Sequence, residues 1–156
     1  EYSARRINAF FQSRNVDLSS TKIAILGYSF KTNSGDVRFS PIEKFVEILF
    51  REGYKNISVF DSSISDSSIK DSRVIRESLW ESCVMDADCV VFGAAHDDIK
   101  ALSVQDITNL MQPSGIVYDG RRYFSHTEIA EFKNSGVVYQ GIGRSFNEHI
   151  QGKFND

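Results

Sequence analysis

An excess of positive charge is missing from this sequence. Its 18 lysines and arginines stand against 21 aspartates and glutamates, a net charge of −3, where a nucleic-acid partner asks for a basic face. The two cysteines, Cys83 and Cys89, have no C-x-x-C spacing, which excludes a zinc ribbon or disulfide framework and suits a reducing cytoplasm. No apolar run approaches the roughly 20 residues of a membrane span, and no secretory pattern opens the chain. Two prolines, 41% hydrophobic and 25% charged residues over 156 positions exclude a disordered chain and suit one domain with a sizeable core. Two phosphate cradles are missing as well: no G-x-G-x-x-G follows a strand, and no Gly-Lys-Ser/Thr opens a helix. The chain begins at Glu1 rather than methionine, in a helix-like stretch, so we expect a piece of a longer protein.

What is present alternates. Strands are expected at 22–27, 56–61, 88–94, 115–119 and 137–141, and helices near 2–14, 41–52, 73–85, 103–111 and 126–135. In the first helix Ile7, Phe10 and Phe11 share a face and Arg5, Arg6 and Arg14 take the wet side; Asp17 to Thr21 reads as a linker. Ser40 caps the helix at 41, Pro41 fits its first position, and Glu43 completes a capping box. Ile42, Phe45, Val46, Leu49 and Phe50 form its apolar stripe, and Gly53 offers a left-handed exit. Ser125 and Glu128 repeat the box, and Gly136 ends that helix. Such alternation implies a three-layer α/β/α sandwich, a Rossmann-like parallel sheet of about five strands, with the order 3-2-1-4-5 expected. The polar segment 62–72 reads as a freely varying surface loop.

Ligands of such sheets sit beyond the C-terminal strand ends, where the strand order switches direction. The loop 28–39 leaves one such end and leads into a helix start that welcomes an anion. With no glycine cradle, side chains must supply the contacts: Phe30 a flat face, Lys31 an ammonium, Arg38 a guanidinium. The plainer reading keeps Phe30 in the core, Lys31 solvated, and Arg38 paired with Asp36 or Glu43. The turn in "YDGRRYF" projects Arg121, suited to gripping a diphosphate, although such turns also occur for structural reasons alone. With the order 3-2-1-4-5, the strands at 22–27 and 115–119 are neighbours, and this turn faces Lys31.

The stretches "KIAILGYSFKTNSGDVRFSP", "VFD", "DADCVVFGAAHDDIK", "IVYDGRRYF" and "YQGIGR" together resemble the C-terminal, UDP-binding domain of the UDP-glucose/GDP-mannose dehydrogenase family. Order and spacing match over about residues 20–144. The resemblance implies the UDP-sugar-binding half of a nucleotide-sugar 6-dehydrogenase, which oxidises a sugar C6 alcohol to the uronate with two NAD. Phe30, Lys31 and Arg121 match substrate-contacting positions, and Arg38 matches an arginine that points across the cleft toward NAD. NAD itself is expected on an N-terminal domain, joined through a central domain whose helix ends within residues 1–20. Residues 21–146 are then the nucleotide-sugar-binding domain and 147–156 a tail. The whole protein is expected to be a cytoplasmic homodimer, with no nucleic-acid or membrane partner. Tyr28-Ser29, Phe39 and "AAHDDIK" depart from the family's usual residues.

The family's nucleophilic cysteine lies upstream of this region, so no catalytic residue is expected here and the chain alone should not turn over. Cys83 and Cys89 read as core residues. His96, Asp97 and Asp98 read as solvated or capping, with no metal expected. Asp61 reads as a strand-end or cap residue, and Gly141 to Arg144 as a turn. A different function class, a free-standing metabolite-sensing α/β domain without catalysis, would use the same cations for another phosphorylated ligand.

Overall fold

The computed structural model describes residues 1–29, 31–65 and 67–145, and side chains through 143. Among the described residues seven strands form one sheet: β1 (Lys22–Leu26), β2 (Asn56–Phe60), β3 (Ile75–Arg76), β4 (Cys89–Phe92), β5 (Ile116–Asp119), β6 (Val138–Gly141) and β7 (Arg144–Ser145). Their order is β3-β2-β1-β4-β5-β6-β7. Pairing is parallel from β3 through β6, and β7 joins antiparallel after the turn at Ile142 and Gly143. The helices are α1 (Tyr2–Gln12), α2 (Pro41–Glu52), α3 (Trp80–Val84), α4 (Asp97–Lys100), α5 (Val104–Thr108) and α6 (His126–Asn134).

The expected order 3-2-1-4-5 is found, with a consequence for neighbours. A two-residue strand takes the third place, so the strand beside β1 is β4 and not the one at 116–119. The segment 73–85 is correspondingly a short strand followed by one helical turn, not the long helix that its spacing suggested. The edge of β2 explains this: Ser58 and Val59 pair with Ile75 and Arg76, and Glu77 N donates to Val59 O. Backbone groups at a sheet edge need partners, and Val74 and Ile75 are β-branched residues suited to supplying them.

Alternate residues of each strand feed two cores, as a sheet covered on both faces requires. Ile23, Ile25, Ile57, Val59, Val91 and Tyr118 meet α1 and α2 on one face. Ala24, Leu26, Val90, Phe92, Val117 and Tyr139 meet α3 to α6 on the other. Ile7, Phe10 and Phe11 of α1 are buried as the helical spacing predicts. In α2 the stripe from Ile42 to Leu49 is buried, and Gly53 leaves the helix at φ 107°. The segment 62–72 is less independent than its composition suggests, because Ile64 is buried and Ile69 packs on the same core.

The two expected capping boxes part company. Ser125 accepts from Glu128 N while the Glu128 carboxylate accepts from Ser125 N, a complete box. Ser40 does cap α2, accepting from Ile42 N at 3.1 Å, but Glu43 does not close a box. The Ser40 hydroxyl instead donates to Tyr28 O, which ties the start of α2 to the loop that precedes it. Ser125→Ala should cost about 1 kcal/mol in a urea-unfolding measurement, the usual value of such a cap. An unchanged midpoint would show that the box contributes nothing to stability.

Candidate loop cluster at the C-terminal sheet edge

Three loops meet beyond the ends of β1, β4 and β5. The first begins at Gly27, whose φ is 86° and where an added Cβ would lie 2.6 Å from Ala94 Cβ and Ala94 N. Only glycine allows the exits of β1 and β4 to approach this closely. Asp61, at the end of β2, is buried, and its Oδ2 accepts from Tyr28 N and Ser29 N, each at 2.8 Å. Its Oδ1 accepts from Ser63 N at 2.9 Å. Burial raises the Asp61 pKa, but hydrogen bonds from Ser29, Ser63 and Tyr28 and the nearby His96 outweigh it, so the net shift is downward.

His96 leaves β4 with a side chain that is fully buried. Its Nε2 stands 3.1 Å from Asp61 Oδ2 and 2.9 Å from Ser29 Oγ, and its Nδ1 accepts from Asn33 N at 2.8 Å. Asn33 and Asp97 add a reciprocal pair, Asn33 Nδ2 to Asp97 Oδ2 at 2.8 Å and Asp97 N to Asn33 Oδ1 at 3.1 Å. The loop carrying Lys31 is therefore fastened to the loop leaving β4. The expectation of a solvated histidine is corrected, since burial with every ring nitrogen engaged is the opposite condition. Among the described residues no cluster of acids, histidines and cysteines could hold a metal ion.

On its other side the β4 exit holds the third loop. Arg121 Nε donates to Gly93 O at 2.8 Å, and Tyr123 Oη donates to Ala94 O at 2.7 Å. Asp119, fully buried at the end of β5, shapes this turn by accepting from Arg121 N, Phe124 N and Tyr139 Oη. Residues 93–97 thus form a shared platform, with the Lys31 loop fixed at one end and the Arg121 turn at the other.

Next to the platform lies a cleft of about 310 Å3, lined among others by Pro41 and Ile42 of α2, Tyr118, Gly120 and Arg121, with Ser3 of α1 and the preceding Glu1. The N-terminus of α2 opens here with the positive end of its dipole, its Ile42 and Glu43 amides held by Ser40, and the Arg121 guanidinium shares the rim. Lys31 is exposed and does not line this cleft, and no hydrogen bond or ion pair of its ammonium occurs among the described residues. Arg38 is held by Asp36 through Nε to Oδ1 at 2.9 Å and Nη2 to Oδ2 at 2.8 Å, one of the two pairings anticipated. Those bonds pull the Asp36 carboxyl down to about 2. Phe30 lies outside the described residues.

The cysteines are core residues. Both are buried, and burial pushes the Cys83 thiol up to about 11 and raises Cys89 as well, so neither is a ready thiolate. His96 and Asp119 are the residues that sequence reasoning undervalued, while Asp61 is the strand-end and capping residue that was expected. "VFD" and "VYD" close two strands with the same Val-aromatic-Asp pattern, which was the available signal for Asp119; His96 carries none.

A family model for the UDP-glucose/GDP-mannose dehydrogenase family, UDP binding domain, matches residues 24–126. The chain belongs to that family. The UDP-binding domain is 30% identical over 133 residues to the UDP-N-acetyl-D-mannosamine dehydrogenase of Pyrococcus horikoshii, covering 85% of this chain and 28% of that protein. It is 37% identical over 126 residues to the Methanocaldococcus jannaschii protein of the same description, covering 80% and 28%. A crystal structure of NDP-N-acetyl-D-galactosaminuronic acid dehydrogenase from Methanosarcina mazei Go1 superposes with a TM-score of 0.79 at 24% identity. That match covers 95% of this chain and 30% of the other, and it shows the shared fold. The UDP-binding domain thus spans less than a third of the length of these relatives.

Proposed function

We propose that this domain holds the UDP-sugar of a nucleotide-sugar 6-dehydrogenase, a protein that oxidises a sugar C6 alcohol to the uronate using two NAD. The observation that carries the reading is the shared platform. Arg121 and the Lys31 loop are both fastened to residues 93–97, beside the amino end of α2. Cations from two loops and a helix dipole then address one anionic ligand. In this reading Lys31 and Arg121 bind the nucleotide-sugar, with Phe30 packing against it. The order of the strands gives the two cations a common intermediary rather than direct adjacency.

NAD accepts the hydride in such oxidations. The described residues do not fit a dinucleotide cradle: Gly27 is followed by buried Tyr28 and Ser29, whose amides are already taken by Asp61. NAD binding is therefore assigned to domains outside this chain, with Arg38, exposed on its loop, reaching toward it. Residues 1–20 would be the end of a connecting helix and linker, residues 21–146 the binding domain and 147–156 a tail, in a cytoplasmic homodimer.

Two results are expected from the 156-residue chain itself. UDP at one hundred times its Kd should stabilise the domain by about 2.7 kcal/mol, seen as a higher melting temperature. NAD+ supplied with UDP-glucose or a UDP-N-acetylhexosamine should give no NADH absorbance, because no thiolate nucleophile is present. An unchanged melting temperature at millimolar UDP contradicts the binding role, and NADH formation contradicts the division of labour.

A further inference from the structure

We propose that His96 is a positioning residue that fixes the height and direction of Lys31 without touching ligand. This rests on the UDP-binding reading of the preceding section. The hydrogen bonds determine the ring's tautomer. Asn33 N can only donate, so Nδ1, 2.8 Å away, carries no proton and Nε2 carries it. Ser29 Oγ donates its own proton to Lys31 O at 3.1 Å, so toward the ring it accepts. The Nε2–H is therefore shared between Ser29 Oγ and Asp61 Oδ2.

That wiring excludes one function and points to another. In a nucleophilic triad the serine and the carboxylate sit on opposite ring nitrogens, so that the ring can pass a proton between them. Here both sit at Nε2, and Ser29 is buried, so no activated nucleophile results. The ring instead supports an arch. Ser29 at one foot and Asn33 at the other both bond to the same imidazole, and Lys31 stands midway between them. Asn33 holds φ at 52°, a left-handed conformation that asparagine tolerates, and Asp97 clamps its amide. No hydrogen bond of the Lys31 ammonium is found among the described residues, and the Asp36 carboxylate is the charge it acts on, so the arch sets where the side chain leaves the backbone.

The test uses the two amide analogues of histidine in calorimetric titrations with UDP. In His96→Asn the amide oxygen takes the place of Nδ1 and keeps the acceptor for Asn33 N. In His96→Gln the amide nitrogen takes the place of Nε2 and the acceptor is lost. His96→Gln should raise the Kd for UDP about tenfold, the scale of one buried hydrogen bond, while His96→Asn should recover most of the affinity. Combined with Lys31→Ala, His96→Gln should add less than about a twofold further loss, because its effect passes through the lysine. Equal losses with and without Lys31, or His96→Asn as weak as His96→Gln, would overturn the proposal. Amide exchange at Asn33 supplies a ligand-independent reading: it should speed up in His96→Gln and stay slow in His96→Asn. A parent chain that binds no UDP refutes the functional reading on its own. Asn33 exchange then decides for His96, and equal protection in the parent and His96→Gln refutes the arch.

Discussion

Asp61→Ala is expected to lower stability by about 3–5 kcal/mol, from several buried donors losing their acceptor at about 1–3 kcal/mol each. The side chain accepts from three backbone amides and faces the Nε2–H of His96, and alanine would leave all four donors without that partner in a site closed to water. For a chain of this length such a loss lowers the melting temperature by roughly 10 °C. A change below about 1 kcal/mol would mean that the loop pays little for losing its anchor. The pH dependence has a definite sign. Because the folded-state pKa lies below the ordinary 3.8, the contribution is fully present above that value. It is lost as pH falls from there through the lower folded value. Asp61→Asn should therefore flatten the dependence of the urea midpoint on pH in that acid window, whereas a parent-like slope would assign the acid sensitivity to another carboxylate.

Lys31→Ala and Arg121→Ala should each weaken UDP binding by about 1.5–3 kcal/mol, the range for hydrogen bonds to charged groups. The two variants differ in what else they disturb. Lys31 makes no side-chain bond among the described residues, so its removal should leave the melting temperature of the ligand-free chain unchanged. Arg121→Ala also removes the Nε bond to Gly93 O, and a lower melting temperature should accompany its weaker binding. Arg121→Lys keeps the charge but not the planar fork, and should rescue only part of the affinity. If both alanine variants bind UDP like the parent, the ligand sits elsewhere.

Much of this architecture was legible because local signals and burial agreed. The apolar runs at β1, β2, β4 and β5, the Ser125 box, and the Gly53 exit are each dictated within a few residues of chain. What escaped depended on partners far away in sequence. The short strand β3 exists because β2 has an open edge, a fact about the sheet and not about residues 75 and 76. His96 looked like a surface residue among acids, yet its neighbours are Ser29, Asn33 and Asp61, and no periodicity within 93–100 reports them. Lys31 and Arg121 lie on the loops that follow β1 and β5, where the sequence placed them. The intermediary between them was missed because a two-residue strand shifted the neighbour of β1 from β5 to β4.

The most direct test is a crystal structure of the chain with UDP. The account predicts the pyrophosphate above residues 93–97, touched by the Lys31 ammonium from one side and the Arg121 guanidinium from the other. Density for UDP at any other surface, or a pyrophosphate that neither cation reaches, would contradict it.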